Sequence, residues 1–281
     1  MISEVLLITG TVATGFAVDP AALALVERTQ DAWAKVDTLT YRFNKTEQMR
    51  DGEVIVEEVA VKLKKPLALY IAAILPRPGQ EIIYDSRRDP NRFVVHPGRF
   101  PDVTLHLDPR GSLATRGQHH LLTHAGLSYS LETLRRGIRR SQKADEGGAL
   151  RYLGTTTLWG RKVEIILFEA GDVTPLLVGA YEDEPLFDFA ARVGADAYSI
   201  FAINPDIGAV NDELEARPYK VPKSYGAKTE FAIDLETGLP IRVTIWDRDG
   251  RIYERYEYRE MVVNPTLTDR DFDPENPAYD F

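Results

Sequence analysis

From Leu39 to Leu107 short apolar or alternating runs are cut by turn residues every few positions, a pattern that no helix can use. Leu39, Tyr41 and Phe43 alternate with polar residues, and Val54, Val56, Val59, Val61 and Leu63 follow the hairpin signal Asp51-Gly52. The runs Leu67–Leu75, Glu81–Tyr84, Arg92–His96 and Val103–Leu107 continue the pattern. They are separated by Pro76-Arg77-Pro78-Gly79, Asp89-Pro90-Asn91, Pro97-Gly98 and Asp108-Pro109-Arg110-Gly111. Short strands joined by tight turns specify an antiparallel meander and exclude alternating βαβ units. Strands resume at Leu150–Leu158 and Lys162–Glu169, and again at Lys228–Asp234, Pro240–Trp246 and Ile252–Val263. Residues 176–222 break the pattern and read strand, helix, helix, strand.

Two other segments carry the helical period. Asp19-Pro20 places a capping acid before a proline, and Leu25, Ala32 and Val36 share a face flanked by Val26 and Trp33, which predicts a helix over 20–36. Leu121–Lys143 reads as helical with a break near Gly126. The fold class expected is α+β: a curved antiparallel sheet, an incomplete β-barrel, lidded by these helices and carrying a small βααβ insert. Val5–Val18 is apolar but too short to span a bilayer, so no transmembrane span is expected. Small residues near Ala17 suit a cleavage site, although Glu4 and the lack of Lys or Arg do not suit the start of an export signal. Residues 1–18 are read as a signal segment, with a buried N-terminal strand as the alternative.

Composition removes whole classes of function. A hydrophobic share of 44% against 27% charged residues is that of a folded chain. The net charge of −9 speaks against nucleic acid, whose phosphates need a basic footprint. The absence of cysteine excludes disulfides, thiol nucleophiles and thiolate metal sites. There is no G-x-S-x-G, no glycine-rich phosphate loop and no H-E-x-x-H. No catalytic residue and no cofactor is expected.

All five histidines, His96, His106, His119, His120 and His124, fall within one stretch. His120 and His124 are spaced i,i+4, which would set both on one helix face. With His119 they are the candidate metal ligands, and a metal-dependent hydrolase built on His96–His124 is the remote alternative function. A catalytic zinc would need three protein ligands and an open position. Asp269, Asp271, Asp273 and Glu275 suggest calcium but lack the mid-loop glycine and distal glutamate of an EF-hand. Arg135, Arg136, Arg139 and Arg140 lie on one helical face of an otherwise acidic chain, suited to solvent or to anionic headgroups.

The run Gly79-Gln80-Glu81-Ile82-Ile83-Tyr84 resembles the G-x-E-x-x-Y strand of a family of uncharacterised bacterial exported proteins, which is itself similar to the LolA/LolB-like superfold. The resemblance continues through Leu107-Asp108-Pro109-Arg110-Gly111, Arg116-Gly117 with His120, and Ala125-Gly126. It returns at Ile233-Asp234, Thr237-Gly238-Leu239-Pro240-Ile241 and Tyr256-Glu257-Tyr258, and ends in Leu267-Thr268-Asp269, Asp271-Phe272-Asp273-Pro274 and Asn276-Pro277-Ala278-Tyr279. It covers 19–175 and 223–281. It implies a periplasmic or otherwise exported, non-enzymatic protein whose hollow takes a lipid or the acyl chains of lipoproteins.

Residues 176–222 resemble a degenerate LysM module, a βααβ fold that binds N-acetylglucosamine polymers. Leu186-Phe187-Asp188-Phe189-Ala190 and Arg192-Val193-Gly194 match its first helix. Ile200, Ala202, Asn204 and Pro205 match its second helix and loop, and Leu214 with Tyr219-Lys220-Val221-Pro222 its last strand. The resemblance implies glycan contact, with peptidoglycan as partner, through Asp183, Glu184, Pro185, Ile203, Asn204, Pro205 and Asp206. Two departures stand out. Asp183-Glu184-Pro185 replaces the usual Gly-Asp-Thr, and Ala216 stands where a glycine is usual. The alternative role is an envelope structural protein, binding peptidoglycan without a lipid ligand.

Overall fold

The computed structural model describes residues 15–100, 103–144 and 147–281. Most of the expected signal segment, residues 1–14, lies outside them. Strand β1 (Ala17–Val18) leads into helix α1 (Pro20–Ala34), whose N-cap Asp19 accepts from the Ala21 amide at 2.9 Å. The first meander follows: β2 (Thr38–Gln48), β3 (Val54–Lys64), β4 (Ala68–Leu75), β5 (Glu81–Asp85), β6 (Phe93–His96) and β7 (Leu105–Leu107). Then come α2 (Ser112–Thr115), a 3-10 turn at Leu122–His124, α3 (Ser128–Ala144), and the hairpin β8 (Gly148–Leu158) with β9 (Arg161–Ala170). The interruption contains β10 (Leu176–Gly179), β11 (Glu184–Pro185), α4 (Leu186–Val193), α5 (Ala197–Ile203), β12 (Glu213–Leu214) and β13 (Pro218–Val221). Strands β14 (Lys228–Asp234), β15 (Pro240–Trp246) and β16 (Ile252–Val263) complete the chain before a 3-10 turn at Asp269–Phe272.

One twelve-stranded sheet runs β1-β8-β9-β14-β15-β16-β2-β3-β4-β5-β6-β7. Every pairing in it is antiparallel except β1 with β8, and among the described residues β1 and β7 are free edges, so the sheet is open rather than a closed barrel. Its inner face and the two long helices share the main core. Leu25 and Val26 of α1 and Leu131, Leu134 and Ile138 of α3 pack against Leu39, Tyr41, Val61, Leu63, Phe231 and Val243. The break foreseen near Gly126 is real. At φ +85° this residue sits against Leu63 and Trp33, and a Cβ there would come 2.8 Å from the Leu63 side chain. His120 therefore precedes the α-helix and His124 lies in a 3-10 turn, not on the single helix face that their spacing suggested.

The interruption is spliced into a hairpin. β9 and β14 are direct neighbours, and the Ala170 amide donates to the Ala227 carbonyl at 2.9 Å, so the chain leaves and returns side by side. β10 pairs with β13 and β11 with β12, around a separate core of Leu186, Phe189, Ile200, Leu214 and Tyr219. Met49, just after β2, and Tyr253 of β16 pack on that core.

The acidic tail folds back on the outside of β4 and β5. Phe272 is fully buried, Tyr279 stacks on Tyr70 at 3.9 Å, and the Asp280 amide donates to Glu81 at 2.7 Å. Three of the four acids that suggested calcium are paired within the chain: Asp269 with Lys64 and Arg87, Asp271 with Lys62, Asp273 with Arg88.

Candidate functional site

The alternation that builds the sheet changes character partway along it. On β2 the inward face reads Leu39, Tyr41, Phe43, Lys45, Glu47, and the last two are as buried as the first. On β3 it reads Leu63, Val61, Val59, Glu57, and on β16 Tyr258, Tyr256, Glu254. Register places Lys45 opposite Glu57 and Glu47 opposite Glu254. The three strands thus form a wall that is apolar at one end and charged at the other.

Over the apolar end lies a hollow of about 200 Å³. Tyr41, Phe43, Val59, Val61, Ile71 and Ile82 form its floor, and Leu121, Leu122, Ala125 and Tyr129 cover it. Lys45, Glu57, Arg77 and Gln118 line its polar end, where Lys45 bridges Glu47 at 3.1 Å and Glu57 at 2.9 Å, and Arg77 pairs with Glu57 at 3.0 Å. Burial raises the Glu57 pKa, but Lys45 and Arg77 outweigh it and hold the carboxyl below its usual range.

Two buried carboxylates facing each other across a strand pair repel. Glu47 and Glu254 are compensated from the loop before α3. The His119 amide donates to Glu47 at 3.2 Å, and its Nδ1 lies 2.6 Å from Glu254, with both side chains fully buried. His119 Nε2 is 3.1 Å from the Gln48 carbonyl. Tyr256 donates to Glu47 at 2.6 Å, and the Tyr225 hydroxyl donates to Glu254. His120 Nε2 lies 3.4 Å from Glu254 and 3.1 Å from the Tyr225 hydroxyl, while its Nδ1 lies 3.7 Å from Asp196. Burial opposes charge on His120, but Glu254 and then Asp196 raise its pKa to about 10. Burial and the charge of His120 push His124 down to about 4. Asp196 belongs to the insert, where it caps α5 by accepting from Ser199 at 2.9 Å. Its other oxygen accepts from Tyr129 at 2.5 Å.

The structure divides the histidines. His119 stands with Glu47 and Glu254, whereas His120 and His124 stand with Asp196. His96 is buried near Phe281, and His106 is exposed on β7. Glu47, Glu254, Asp196, Tyr129 and Tyr225 were not singled out from sequence. The signal for the first two was present, since Glu47 and Glu254 have the strand parity of Tyr41 and Tyr256.

Of the residues expected to touch glycan, Glu184, Asn204 and Asp206 are engaged by side-chain partners inside the insert. Buried Asn204 donates to the Ile200 and Lys220 carbonyls at 2.7 and 2.8 Å and accepts from the Lys220 amide at 2.9 Å. Glu184 pairs with Arg192 at 2.6 Å, and Asp206 pairs with Arg217. Pro185 precedes α4 in a strand pair with Glu213, Ile203 is half-buried, and Asp183 and Pro205 are exposed. Arg50, from the β2–β3 turn, packs on the Phe201 ring at 3.8 Å and donates to the carbonyls of Asn204 at 3.5 Å and Ile207 at 2.8 Å. The large sheet thereby occupies one side of the loop after α5. Of the arginines on α3, Arg136 donates to the Gly194 carbonyl at 3.2 Å, and Arg135 and Arg139 pair with Glu132.

Sheet, lid and hollow together define the class: an open, curved, antiparallel sheet with helices across its inner face. Among the described residues no helix is long and apolar enough to cross a membrane. The chain belongs to the family described as "Protein of unknown function (DUF1571)", whose model matches residues 36–174 and 213–281 and leaves most of the interruption unmatched. No curated protein matches it. Solved structures similar to it include the lipoprotein LppX of Mycobacterium tuberculosis, 14% identical, with 89% of this chain and 98% of that one covered and a TM-score of 0.42. A LolA superfamily protein of Nitrosomonas europaea is 10% identical, with 90% and 98% covered and a TM-score of 0.33. A DUF1329 family protein of Desulfovibrio piger is 10% identical, with 90% and 96% covered and a TM-score of 0.36.

Proposed function

We propose that this protein binds, without catalysis, an aliphatic chain of a lipid or acylated partner in the cell envelope. The observation that carries this reading is the hollow's polarity. Aromatic and branched side chains line one end, and Lys45, Glu57, Arg77 and Gln118 close the other. That arrangement fits an amphiphile whose tail lies under the lid and whose head meets the charged end. The hollow is smaller than the ~300–1,000 Å³ usual for drug-sized ligands, so it suits one chain segment better than a whole lipid. The test is displacement of a fluorescent fatty acid from delipidated protein, with native mass spectrometry of protein taken from its own envelope. Saturable displacement at one site by long-chain but not short-chain fatty acids is expected. Equal displacement by both would sink the reading.

The insert's βααβ order supports a LysM-like origin, and peptidoglycan is the ligand that this origin suggests. Its loops favour a different use. Asn204 is consumed in joining α5 to β13, and Arg50 covers the following carbonyls. In our reading the insert braces the polar end of the sheet. Co-sedimentation with purified peptidoglycan would overturn that part and restore the docking role.

A further inference from the structure

Two groups of potential metal ligands lie side by side, and their hydrogen bonding separates them. In the first, Glu47, His119 and Glu254, His119 has Nδ1 against Glu254 and Nε2 against the Gln48 carbonyl, so neither nitrogen is free to bind an ion. In the second, His120, His124 and Asp196 bring one donor atom each within 4.8 Å of one another. Nδ1 of His120 and Nδ1 of His124 are buried and, among the described residues, have no hydrogen-bond partner; Asp196 stands 3.7 Å from the first, beyond hydrogen-bond reach. Unsatisfied buried polar atoms are uncommon and demand a reason.

We propose that His120, His124 and Asp196 form a binding site for a divalent transition metal ion of the zinc class. Imidazole and carboxylate are the donors such ions take, and three of them leave one position open. The surroundings are those of a metal site. Nε2 of His120 faces Glu254 and Tyr225, so that nitrogen would keep its proton while Nδ1 gives up its own to take the ion. His124 is held by stacking on Tyr129 at 4.0 Å with the rings 6° apart. Asp196 spends one oxygen on capping α5 and turns the other toward the imidazoles and Tyr129. A bound divalent ion would supply positive charge between Asp196 and Glu254. It would also tie the insert, which provides Asp196, to the lid segment, which provides both histidines. Both imidazoles also line the hollow, so a ligand bound there would lie beside the ion.

The experiment uses the full chain without a histidine tag, stripped with a chelator and titrated with Zn²⁺ by calorimetry, and with Co²⁺ by absorption. One ion per chain is expected, with the visible bands of a four-coordinate cobalt site. Asp196→Asn keeps a good helix cap and His124→Phe keeps the stack on Tyr129, so both should fold. Each should weaken binding by more than about tenfold, a ligand counting for at least as much as an outer-shell partner. Zn²⁺ should raise the unfolding temperature of the parent and not of these variants. The proposal is overturned if Zn²⁺ binds more weakly than about 100 µM, if both folded variants bind as the parent does, or if only His119→Gln abolishes binding.

Discussion

Glu254→Gln is the substitution that most directly probes the polar wall. The native carboxylate is fully buried and serves His119 at 2.6 Å, His120 at 3.4 Å and the Tyr225 hydroxyl at once. Burial alone would favour its neutral form, but the neighbouring imidazoles, His120 first, hold its pKa far below the carboxylate range. An amide of the same shape removes the charge and points an N–H₂ group into a ring of donors. Breaking a buried pair by changing one partner costs about 3–5 kcal/mol. His120 keeps Asp196 at 3.7 Å, so the lower end, about 3 kcal/mol, applies. With a urea slope near 3 kcal/mol/M, the midpoint should fall by about 1 M. The internal control is Glu58→Gln on the opposite face of β3, where the partner Arg42 is partly exposed and the loss should be under about 1 kcal/mol. Urea unfolding of both variants, followed by tryptophan fluorescence, decides the matter. If Glu254→Gln shifted the midpoint no more than Glu58→Gln does, the network would be a bystander to stability.

Three further outcomes are expected. Arg50→Ala should cost about 1–2 kcal/mol, the worth of a partly exposed charged hydrogen bond and a cation–π contact. It should also speed amide exchange across α5 and the loop after it; unchanged exchange there would show that Arg50 does not brace the insert. Val59→Trp places a bulky ring in the floor of the hollow and should reduce fatty-acid binding at least tenfold with a midpoint within about 0.5 M of the parent; undiminished binding would move the ligand elsewhere. Asp234→Asn tests acid stability. Burial disfavours the Asp234 charge, but Arg161, bidentate at 2.8 Å, and Thr237 outweigh it and lower the pKa. A depressed carboxylate contributes stability above its unfolded value of about 3.9, and the contribution is lost as pH falls through the lower folded value. The parent should therefore lose stability more steeply below about pH 4 than Asp234→Asn does, as read from urea midpoints at pH 3 and pH 6.

Much of the fold was legible because period and punctuation agree. Asp51-Gly52 does join β2 to β3, and Asp19-Pro20 does start α1. The motif Gly79-x-Glu81-x-x-Tyr84 has a structural explanation. Gly79 and Gly98 approach so closely that a Cβ on Gly98 would lie 2.2 Å from the Gly79 carbonyl, Glu81 holds the tail, and Tyr84 donates to the Pro90 carbonyl at 3.1 Å. What escaped the sequence was long-range. No spacing rule brings Asp196 to His120, and i,i+4 histidines are expected on a helix until Gly126 forbids it there. Lys45 and Glu47 give no site signal by residue type, because charge on a strand is ordinarily assigned to the solvent face. The alternation was right about which face they occupy, and residue type misled about what that face is.

The inward charges also explain how the insert is held where it is. A sheet that buries Lys45, Glu47, Glu57 and Glu254 needs partners beyond its own strands, since these groups carry one positive charge against three negative. Arg77 pairs with Glu57 at the open end, while the loop carrying His119 and His120 completes the other. Once His120 lies there, it faces away from the sheet toward whatever covers that end, and a carboxylate is the group that best satisfies it. Asp196 supplies it from the insert, entering between β9 and β14, and Arg50 and Tyr253 hold the insert against the same end. A chain of the same family without this interruption would have to meet the His120 position in another way. In such a relative, either the imidazole or the inward Glu254 should be replaced by an uncharged residue, and a sequence that kept both without the insert would count against the coupling argued here.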